Sequence, residues 1–337
     1  MKFIFFLSSF ILLISCSKQP NKLEGETKLS YYYWKTTFEL DSIEKQSIQE
    51  LNVTKLYMRY FDVVMQNDVA IPISPILFKE KVSEGISIVP VVYIKNEVML
   101  RNNINLQALA QKIVHFIKQV NERNALSITE VQFDCDWSLQ SRENFFTLIE
   151  EIKKIEQWKV SSTIRLHQIK YAEKTGIPNV DHGVLMYYNM GSIAADSLNS
   201  IYDRNIANKY IAYIKGYPLR LNYALPIYSW LIQSRKGKVV RMISRIRLED
   251  VSANDAFKLV NAKQFEVVKT GDYFGQFFRQ GDLIKIESIT SEQLLEMKKD
   301  LLKVSNACPN EIILYDLNSK NINSYEKEVF KELITCK

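Results

Sequence analysis

The sequence lacks the signatures of several common function classes. It has three histidines and four cysteines in 337 residues, and neither residue type recurs at metal-ligand spacing. It has no Gly-rich phosphate loop and no Gly-x-Ser-x-Gly nucleophile elbow. The net charge is only +6, and no block of Lys and Arg is interleaved with aromatics. We therefore expect no metal, no other cofactor and no nucleic-acid partner.

Long apolar runs are also missing, apart from one at the N-terminus. Lys2 precedes an apolar stretch, residues 3–14, that is too short for a bilayer, which needs roughly 20 apolar residues. This order predicts a signal peptide over residues 1–15. The following Cys16 completes a Leu-Ile-Ser-Cys pattern that looks like a bacterial lipobox, which predicts diacylglyceryl attachment to its thiol. An ordinary secretory signal with a chance cysteine is the alternative.

The polar segment 16–29 contains Pro20 and Gly25 and predicts a flexible tether. Residues 30–337 then form one soluble, monomeric body. Acyl chains would hold it on a membrane without a spanning helix. The prediction is a cell-envelope lipoprotein outside the cytoplasm, on the periplasmic or surface face, that touches the membrane only through its lipid.

Eight strand-like runs alternate with helical periodicity along this body. The runs are 31–34, 56–61, 86–93, 131–136, 161–167, 183–188, 221–228 and 312–316, and the clearest helical stretches are 106–120, 145–155, 199–214, 291–304 and 324–334. Strands that alternate with helices predict parallel βαβ units. Eight such repeats predict an α/β fold, a single (β/α)8 TIM barrel.

The interval between the seventh and eighth strands is too long for one crossover helix. Within an insertion at about residues 231–290, the runs 265–268 and 283–287 predict a β-hairpin around the aromatic stretch 273–278. Those aromatics either pack the insertion onto the barrel or form a platform for sugar rings.

Two cysteines flank the last predicted strand and helix. Cys308 precedes the strand and Cys336 follows the helix, so both fall at the bottom face of a barrel. An exported protein can oxidise such a pair. A disulfide and two unrelated thiols remain the alternatives. Cys135, on the outward face of its strand, is expected to be a buried free thiol.

The fourth strand carries the most informative residues of the chain. It ends with Asp134 and Asp136, and Gln132 precedes them on the same face because side chains on a strand alternate. Acids on one face and hydrophobes on the other fit the inner wall of a barrel. Carboxylates near the C-terminal end of a barrel strand lie where such barrels build active sites.

Several stretches resemble glycoside hydrolase family 18. Phe133-Asp134-Cys135-Asp136-Trp137 and the helix that follows look like its Asp-x-Asp-Trp-Glu strand and Asn-Phe-x-x-Leu helix. Residues 183–189 look like its sixth-strand Met-x-Tyr-Asp, and residues 224–228 like its seventh-strand Pro-x-Tyr. The chain also looks like a family of uncharacterised bacterial lipoproteins that share the phrases Phe-Asp-x-Asp-Trp, Thr-Ile-Arg-Leu-His-Gln and Tyr-Asn-Met-Gly.

The resemblance implies a site at the C-terminal face of the barrel that binds or cleaves a glycan. In the hydrolase family the Glu after Asp-Trp is the general acid, and the substrate's N-acetyl group is the nucleophile. Asp134, Asp136, Tyr188 and Tyr228 match the family pattern, whereas Ser138 replaces the acid and Asn189 replaces an Asp. A serine hydroxyl cannot replace a carboxylic acid as proton donor near neutral pH.

Another residue is therefore considered as the acid. Thr163, Arg165 and His167 alternate along the fifth strand, so we expect them to share the inner face with the acidic pair. A couple between His167 and Asp136 suits general acid–base work. A histidine hydrogen-bonded in the barrel top is the alternative.

Arg165 inside a barrel needs a carboxylate partner, and either acidic residue of the fourth strand can serve. Such a partner would have a lowered pKa and be a poor proton donor, which favours a structural or ligand-orienting network.

Further candidates lie at strand ends. Arg59 and Asp62 flank the end of the second strand, Asp316 ends the eighth, and Trp34, Trp137 and Trp230 follow the first, fourth and seventh. Aromatic faces at a barrel mouth suit sugar rings, although core packing explains any single one of them.

Two hypotheses remain. In the first, the barrel processes a glycan, with proton handling by Asp136, His167 and Asp134, and with Arg165, Tyr188 and Asn189 among the ligand contacts. In the second, it is a catalytically inactive pseudo-hydrolase that binds a glycan or another polar small ligand as a scaffold.

Overall fold

A computed structural model of the chain describes residues 27–196, 198–305 and 307–336. Eight parallel strands form its centre. They are β1 (Lys28–Tyr33), β2 (Lys55–Gln66), β3 (Ser87–Ile94), β4 (Glu130–Cys135), β5 (Lys159–Arg165), β6 (His182–Met186), β7 (Leu221–Pro226) and β8 (Glu311–Tyr315). The predicted signal peptide, Cys16 and nearly all of the predicted tether lie outside the described residues.

The strands close on themselves in chain order. Each pairs in parallel with the next, and β1 pairs with both β2 and β8. The helices between and after them are Ser42–Glu50, Asn96–Met99, Leu106–Arg123, Arg142–Ile155, Leu166–Lys170, Ala172–Thr175, Arg204–Ile211, Ser291–Ser305, Ser319–Ile322 and Lys327–Ile334. The predicted (β/α)8 barrel is confirmed.

Alternation along β4 shows why the sequence adopts this fold. Val131, Phe133 and Cys135 point outward and are almost fully buried under the helices. Gln132 and Asp134 point into the barrel, where the Gln132 Oε1 accepts a hydrogen bond of 2.7 Å from the Tyr32 hydroxyl. The apolar face of the strand therefore packs against the helices, and the polar face lies in the interior of the barrel.

The barrel floor, at the N-terminal ends of the strands, is polar. Glu311 is 4% exposed. Its Oε2 accepts a hydrogen bond of 2.8 Å from the Tyr57 hydroxyl and one of 3.2 Å from Lys55 Nζ. Lys55 also lies 3.6 Å from Glu130. The buried carboxylates are thus compensated by donors, as burial of charge requires.

The insertion between β7 and β8 is larger than the predicted hairpin. The two predicted strands do pair, as Gln264–Val267 with Leu283–Ser288. They belong to a five-stranded antiparallel sheet whose order is Lys238–Ser244, Ser229–Arg235, Leu283–Ser288, Gln264–Val267 and Phe257–Asn261. The helix Leu248–Ser252 and a small hairpin, Gly271–Tyr273 with Gln276–Phe278, complete it. Its aromatic residues Phe257, Tyr273, Phe274 and Phe278 pack together in a core of the insertion itself, whereas the sequence left open packing onto the barrel or a platform for sugar rings.

Within the described parts of the chain, no helix is long and apolar enough to cross a membrane. The same residues contain no group of three or more His, Cys, Asp or Glu arranged to hold a metal ion.

Cys308 and Cys336 form a disulfide at the barrel floor, with Cα atoms 6.0 Å apart and a sequence separation of 28 residues. Cys135 is a buried free thiol.

Because the disulfide closes a loop of this length in the unfolded chain, we expect the double substitution Cys308→Ser/Cys336→Ser to lower the free energy of unfolding by about 3 kcal/mol. Urea denaturation with and without reductant tests this. Reductant should destabilise the native chain and leave the double variant unchanged, and equal curves for all four samples would contradict the prediction.

Candidate functional site

A cleft of about 440 Å³ opens at the C-terminal ends of the barrel strands; we call it the mouth cleft. Ten of the residues singled out from the sequence line it: Trp34, Arg59, Asp134, Asp136, Arg165, Tyr188, Asn189, Tyr228, Trp230 and Asp316. They come from seven different barrel strands or the segments directly after them. The barrel therefore assembles at one place the side chains that sequence reasoning chose separately.

Asp134 lies at the bottom of the mouth cleft. It is 4% exposed, and its Oδ1 accepts a hydrogen bond of 2.7 Å from the Thr163 hydroxyl on the neighbouring strand. Burial raises the pKa of the Asp134 carboxyl, and the positive charge of Arg165 only partly opposes this rise. Burial also raises the pKa of Asp316, which lines the same cleft, so both carboxyl groups keep a proton more readily than an exposed aspartate does.

Arg165 ends β5 and donates from Nε to Oδ1 of Asp136. Its side chain is about a fifth exposed, and that of Asp136 is half exposed. Burial lowers the pKa of the Arg165 guanidinium, but the negative charges of Asp134 and Asp136 outweigh it and raise that pKa overall. The sequence left Asp134 and Asp136 as alternatives for the carboxylate partner of Arg165. In the structure the partner is Asp136.

Every arginine that lines the mouth cleft is paired with a carboxylate. The pairs are Arg59 with Asp62, Arg165 with Asp136 and Arg245 with Asp316. The first is bidentate, with 2.8 Å from Arg59 Nε to Asp62 Oδ1; the third spans 3.2 Å. Because each cation is neutralised locally, the cleft is suited to a neutral ligand rich in hydroxyl or amide groups rather than to an anion.

Aromatic rings form much of the cleft wall. Tyr315 lies at their centre, with its ring centroid 5.6 Å from that of Trp34, 5.5 Å from Tyr188 and 5.7 Å from Tyr228. Trp230 extends the array, 5.1 Å from Tyr228. Trp34 and Trp230 are half-buried, so part of each indole remains available to a ligand. Such surfaces suit the apolar faces of sugar rings.

Asn189 occupies the position where the resembling family carries an Asp. Its Oδ1 accepts a hydrogen bond of 2.6 Å from the Tyr228 hydroxyl. Its backbone is left-handed, with φ of 55°, a conformation that Asn tolerates better than most residues. The amide side chain thus links the ends of β6 and β7 without adding a charge to the cleft.

A second cleft of about 460 Å³ adjoins the first across the pair of Asp136 and Arg165. Ser138 lines it and is half-buried. The Ser138 and Ser141 hydroxyl oxygens are 3.2 Å apart, and Ser141 donates to Oδ1 of Asn96 at 2.5 Å. The position of the family's general acid therefore holds a hydroxyl in a small hydrogen-bonded chain.

His167 does not lie on a strand, contrary to the sequence prediction. β5 ends at Arg165, and His167 belongs to the helix Leu166–Lys170 with an exposed side chain. It lines the second cleft, but among the described residues no hydrogen bond joins it to Asp136. Partial burial of the ring, followed by the charge of Arg165, lowers its pKa. The imidazole is therefore uncharged near neutral pH and is a poor proton donor.

Two other predicted residues have different surroundings from those expected. Trp137 is 1% exposed; its ring stacks on Phe145 with centroids 5.2 Å apart, and its N–H donates to the Thr175 carbonyl at 3.0 Å. It is a core residue that offers no free ring face. Asp62 is not at a strand end, because β2 continues to Gln66, and it acts on the cleft through Arg59.

Six lining residues were not predicted from the sequence: Tyr93, Met186, Ser229, Ser244, Arg245 and Tyr315. Tyr93 and Tyr315 lie near or at the ends of β3 and β8, so the strand-end rule that selected the others would have found them. Arg245 comes from the inserted sheet, and no sequence signal places it over the barrel.

No protein-family model matches the sequence, and neither does any curated protein sequence. The fold does match solved structures. The spore cortex-lytic enzyme SleL of Bacillus cereus has 13% identity and a TM-score of 0.55, over 93% of this chain and 76% of that one. A mutant family 18 chitinase of Cycas revoluta in complex with (GlcNAc)4 has 9% identity and a TM-score of 0.53, over 91% and 99%.

A chitinase-like agglutinin of Robinia pseudoacacia has 11% identity and a TM-score of 0.50, over 91% of this chain and 99% of that one. The chain therefore has the barrel fold of family 18 chitinases and chitinase-like proteins. At these identities the likeness is one of fold alone.

Proposed function

We propose that the mouth cleft binds a neutral glycan of N-acetylated sugars and does not hydrolyse it. The observation that carries this proposal is the composition of the cleft, in which aromatic rings surround charge-paired arginines on a barrel of the family 18 fold. Two of the similar structures, a chitinase with bound (GlcNAc)4 and an agglutinin, suggest the ligand class.

The absence of hydrolysis follows from the residues around the expected reaction centre. Ser138 cannot protonate a leaving oxygen. Asp136 is engaged by Arg165, and His167 is exposed with a lowered pKa. A glycosidase needs one acid that keeps its proton until the transition state, and none of these three groups meets that need.

Slow hydrolysis is the second candidate, and one observation favours it. Asp134 has a raised pKa and lines the mouth cleft, so it resembles a carboxylic acid held protonated. Its position at the bottom of the cleft and its hydrogen bond to Thr163 argue against direct contact with a leaving group. Hydrolysis of chito-oligosaccharides that is abolished by Asp136→Ala would establish the enzyme reading instead.

Calorimetric titration with chitotetraose tests the binding proposal. Because each indole covers part of a sugar ring, we expect Trp230→Ala and Trp34→Ala each to weaken binding by about 1–2 kcal/mol, roughly 5- to 30-fold. Phe277→Ala is the matched control, since this ring is 44% exposed on the inserted hairpin and does not line the cleft. No heat of binding with the native chain, or equal losses in all three variants, would contradict the proposal.

We also propose that the protein is exported and anchored by a lipid on Cys16, outside the cytoplasm. The support is the short apolar run followed by Leu-Ile-Ser-Cys. Metabolic labelling with an alkyne fatty acid tests it. Label is expected on the native chain and not on Cys16→Ala, whereas Cys135→Ala should remain labelled. Label retained in the Cys16 variant would contradict the anchor.

A further inference from the structure

Glu287 is a buried carboxylate of the inserted sheet that contacts the mouth cleft only through another residue. It is 1% exposed. It lies directly opposite Trp230 in the antiparallel pairing of Ser229–Arg235 with Leu283–Ser288. The indole N–H of Trp230 donates to the Glu287 Oε2 at 2.7 Å. Among the residues that the structure describes, the half-buried Trp230 is the cleft residue that is hydrogen-bonded to Glu287.

The Glu287 carboxylate is hydrogen-bonded through Oε2 and ion-paired through Oε1. The Ser200 hydroxyl donates to Oε2 at 2.5 Å, and Lys285 Nζ lies 2.8 Å from Oε1. Lys285 is itself only 5% exposed, so the ion pair is inside the protein. A buried pair seldom adds net stability over packed apolar side chains. What distinguishes this pair is the geometry that it imposes on its neighbours.

Those neighbours include the segment that follows β6. Lys285 Nζ donates to Asp196 Oδ1 at 3.1 Å and to the Leu198 carbonyl at 2.9 Å. The same segment starts at Asn189, which accepts from Tyr228. Tyr228 in turn lies against Trp230. The pair of Lys285 and Glu287 therefore fixes Trp230 and one end of the segment, while the other end contacts the same aromatic wall.

We infer that Glu287 is a positioning residue. It fixes the indole of Trp230 as a rigid wall of the mouth cleft and joins that wall to the segment after β6, which sets the affinity for the glycan. This inference rests on the proposed function, because Trp230 has a ligand to position only if the cleft binds one. Rigid aromatic walls raise affinity since less conformational freedom is lost on binding.

The double variant Lys285→Met/Glu287→Leu tests it. Replacement of a buried ion pair by apolar side chains of similar volume is commonly tolerated, yet it removes the acceptor of the Trp230 N–H. The chain has four tryptophans. In protein made with 5-fluorotryptophan, the ¹⁹F resonance that disappears in Trp230→Phe reports on this ring alone. We expect that resonance to move in the double variant, and chitotetraose to bind about tenfold more weakly.

Arg235→Met/Asp282→Leu is the matched control. It removes another ion pair of the same sheet, 2.6 Å between Arg235 Nε and Asp282 Oδ1, that does not touch Trp230. An unmoved Trp230 resonance, an unchanged affinity or an equal loss in the control overturns the inference. If the double variant does not fold, Glu287→Gln is measured by the same criteria. A native chain that binds no chitotetraose overturns the proposed function, and the resonance alone then decides whether Glu287 orients Trp230.

Discussion

Glutamate at position 138 is expected to turn the protein into a chitin-oligomer hydrolase. Ser138 is half-buried and lines the second cleft, which adjoins the mouth cleft across Asp136 and Arg165, so we expect a longer carboxylic side chain to extend toward the ligand. Nearby carboxylates raise the pKa of a new one, which keeps it protonated as a general acid requires. A positioned general acid contributes about 10²- to 10⁴-fold in rate. Release of a fluorogenic leaving group from chitobioside measures it.

Ser138→Gln is the matched control, because its side chain has nearly the same shape as glutamate and no acidic proton. The double variant Ser138→Glu/Asn189→Asp should be faster still if the substrate's acetamido group needs the carboxylate that the family places there. Equal rates for the Glu and Gln variants would show that the cleft does not hold a glycosidic oxygen near residue 138.

Arg165→Met is expected to lower the free energy of unfolding by an amount similar to that for loss of the disulfide. The change removes the positive charge that partly offsets the burial of Asp134, and it leaves Asp136 without its partner. Removal of one partner from a fully buried pair costs about 3–5 kcal/mol. Because Asp136 is half exposed, we expect about 2–3 kcal/mol at pH 7.5. Urea denaturation measures the loss.

The loss should be smaller at pH 5. The pKa of Asp134 is already raised in the folded state, and removal of the guanidinium raises it further. A carboxyl group with a raised folded-state pKa binds its proton more tightly when folded, so the free energy of unfolding rises as the pH falls through that pKa. Arg101→Met is the control, since its pair with Asp68 is exposed and should be worth less than about 0.5 kcal/mol. An equal loss at both pH values would contradict this account.

Much of the fold and site follows from local patterns. The alternation along β4 correctly places Asp134 inside the barrel and Asp136 at its mouth, since a period of two leaves no other choice for a strand with one polar face. The strand-end rule then gathers most of the mouth cleft. These inferences depend only on short-range periodicity and on the shared edge of parallel strands.

The errors arise where tertiary contacts override local pattern. Thr163 to His167 alternates like a strand, but a helix begins at Leu166, and the Gln168 side chain accepts the Arg165 backbone N–H at 2.7 Å while donating to the Trp137 carbonyl at 3.2 Å. The hydrogen bond between Gln168 and Trp137 joins residues far apart in the chain, so sequence spacing cannot predict it. It removes His167 from the inner face and with it the predicted couple to Asp136.

The sequence predicted a single hairpin where the structure has a five-stranded sheet, and the reason is similar. Its first hairpin turns at Lys236 and Gly237, with φ of 49° and 75°. Hairpin turns of this kind usually carry Asn-Gly or Asp-Gly, so Lys-Gly gives a weak signal. The helix predicted over 199–214 begins only at Arg204, because Asp203 caps it and Ser200 is held by Glu287.

The first described residue, Thr27, is 2% exposed and donates to the Pro309 carbonyl at 2.9 Å. It sits beside β1 and the disulfide, on the side of the barrel away from the mouth cleft. A lipid attached before Thr27 would therefore hold the protein at the floor of the barrel. In that arrangement the mouth cleft would lie on the side of the barrel opposite to the anchor.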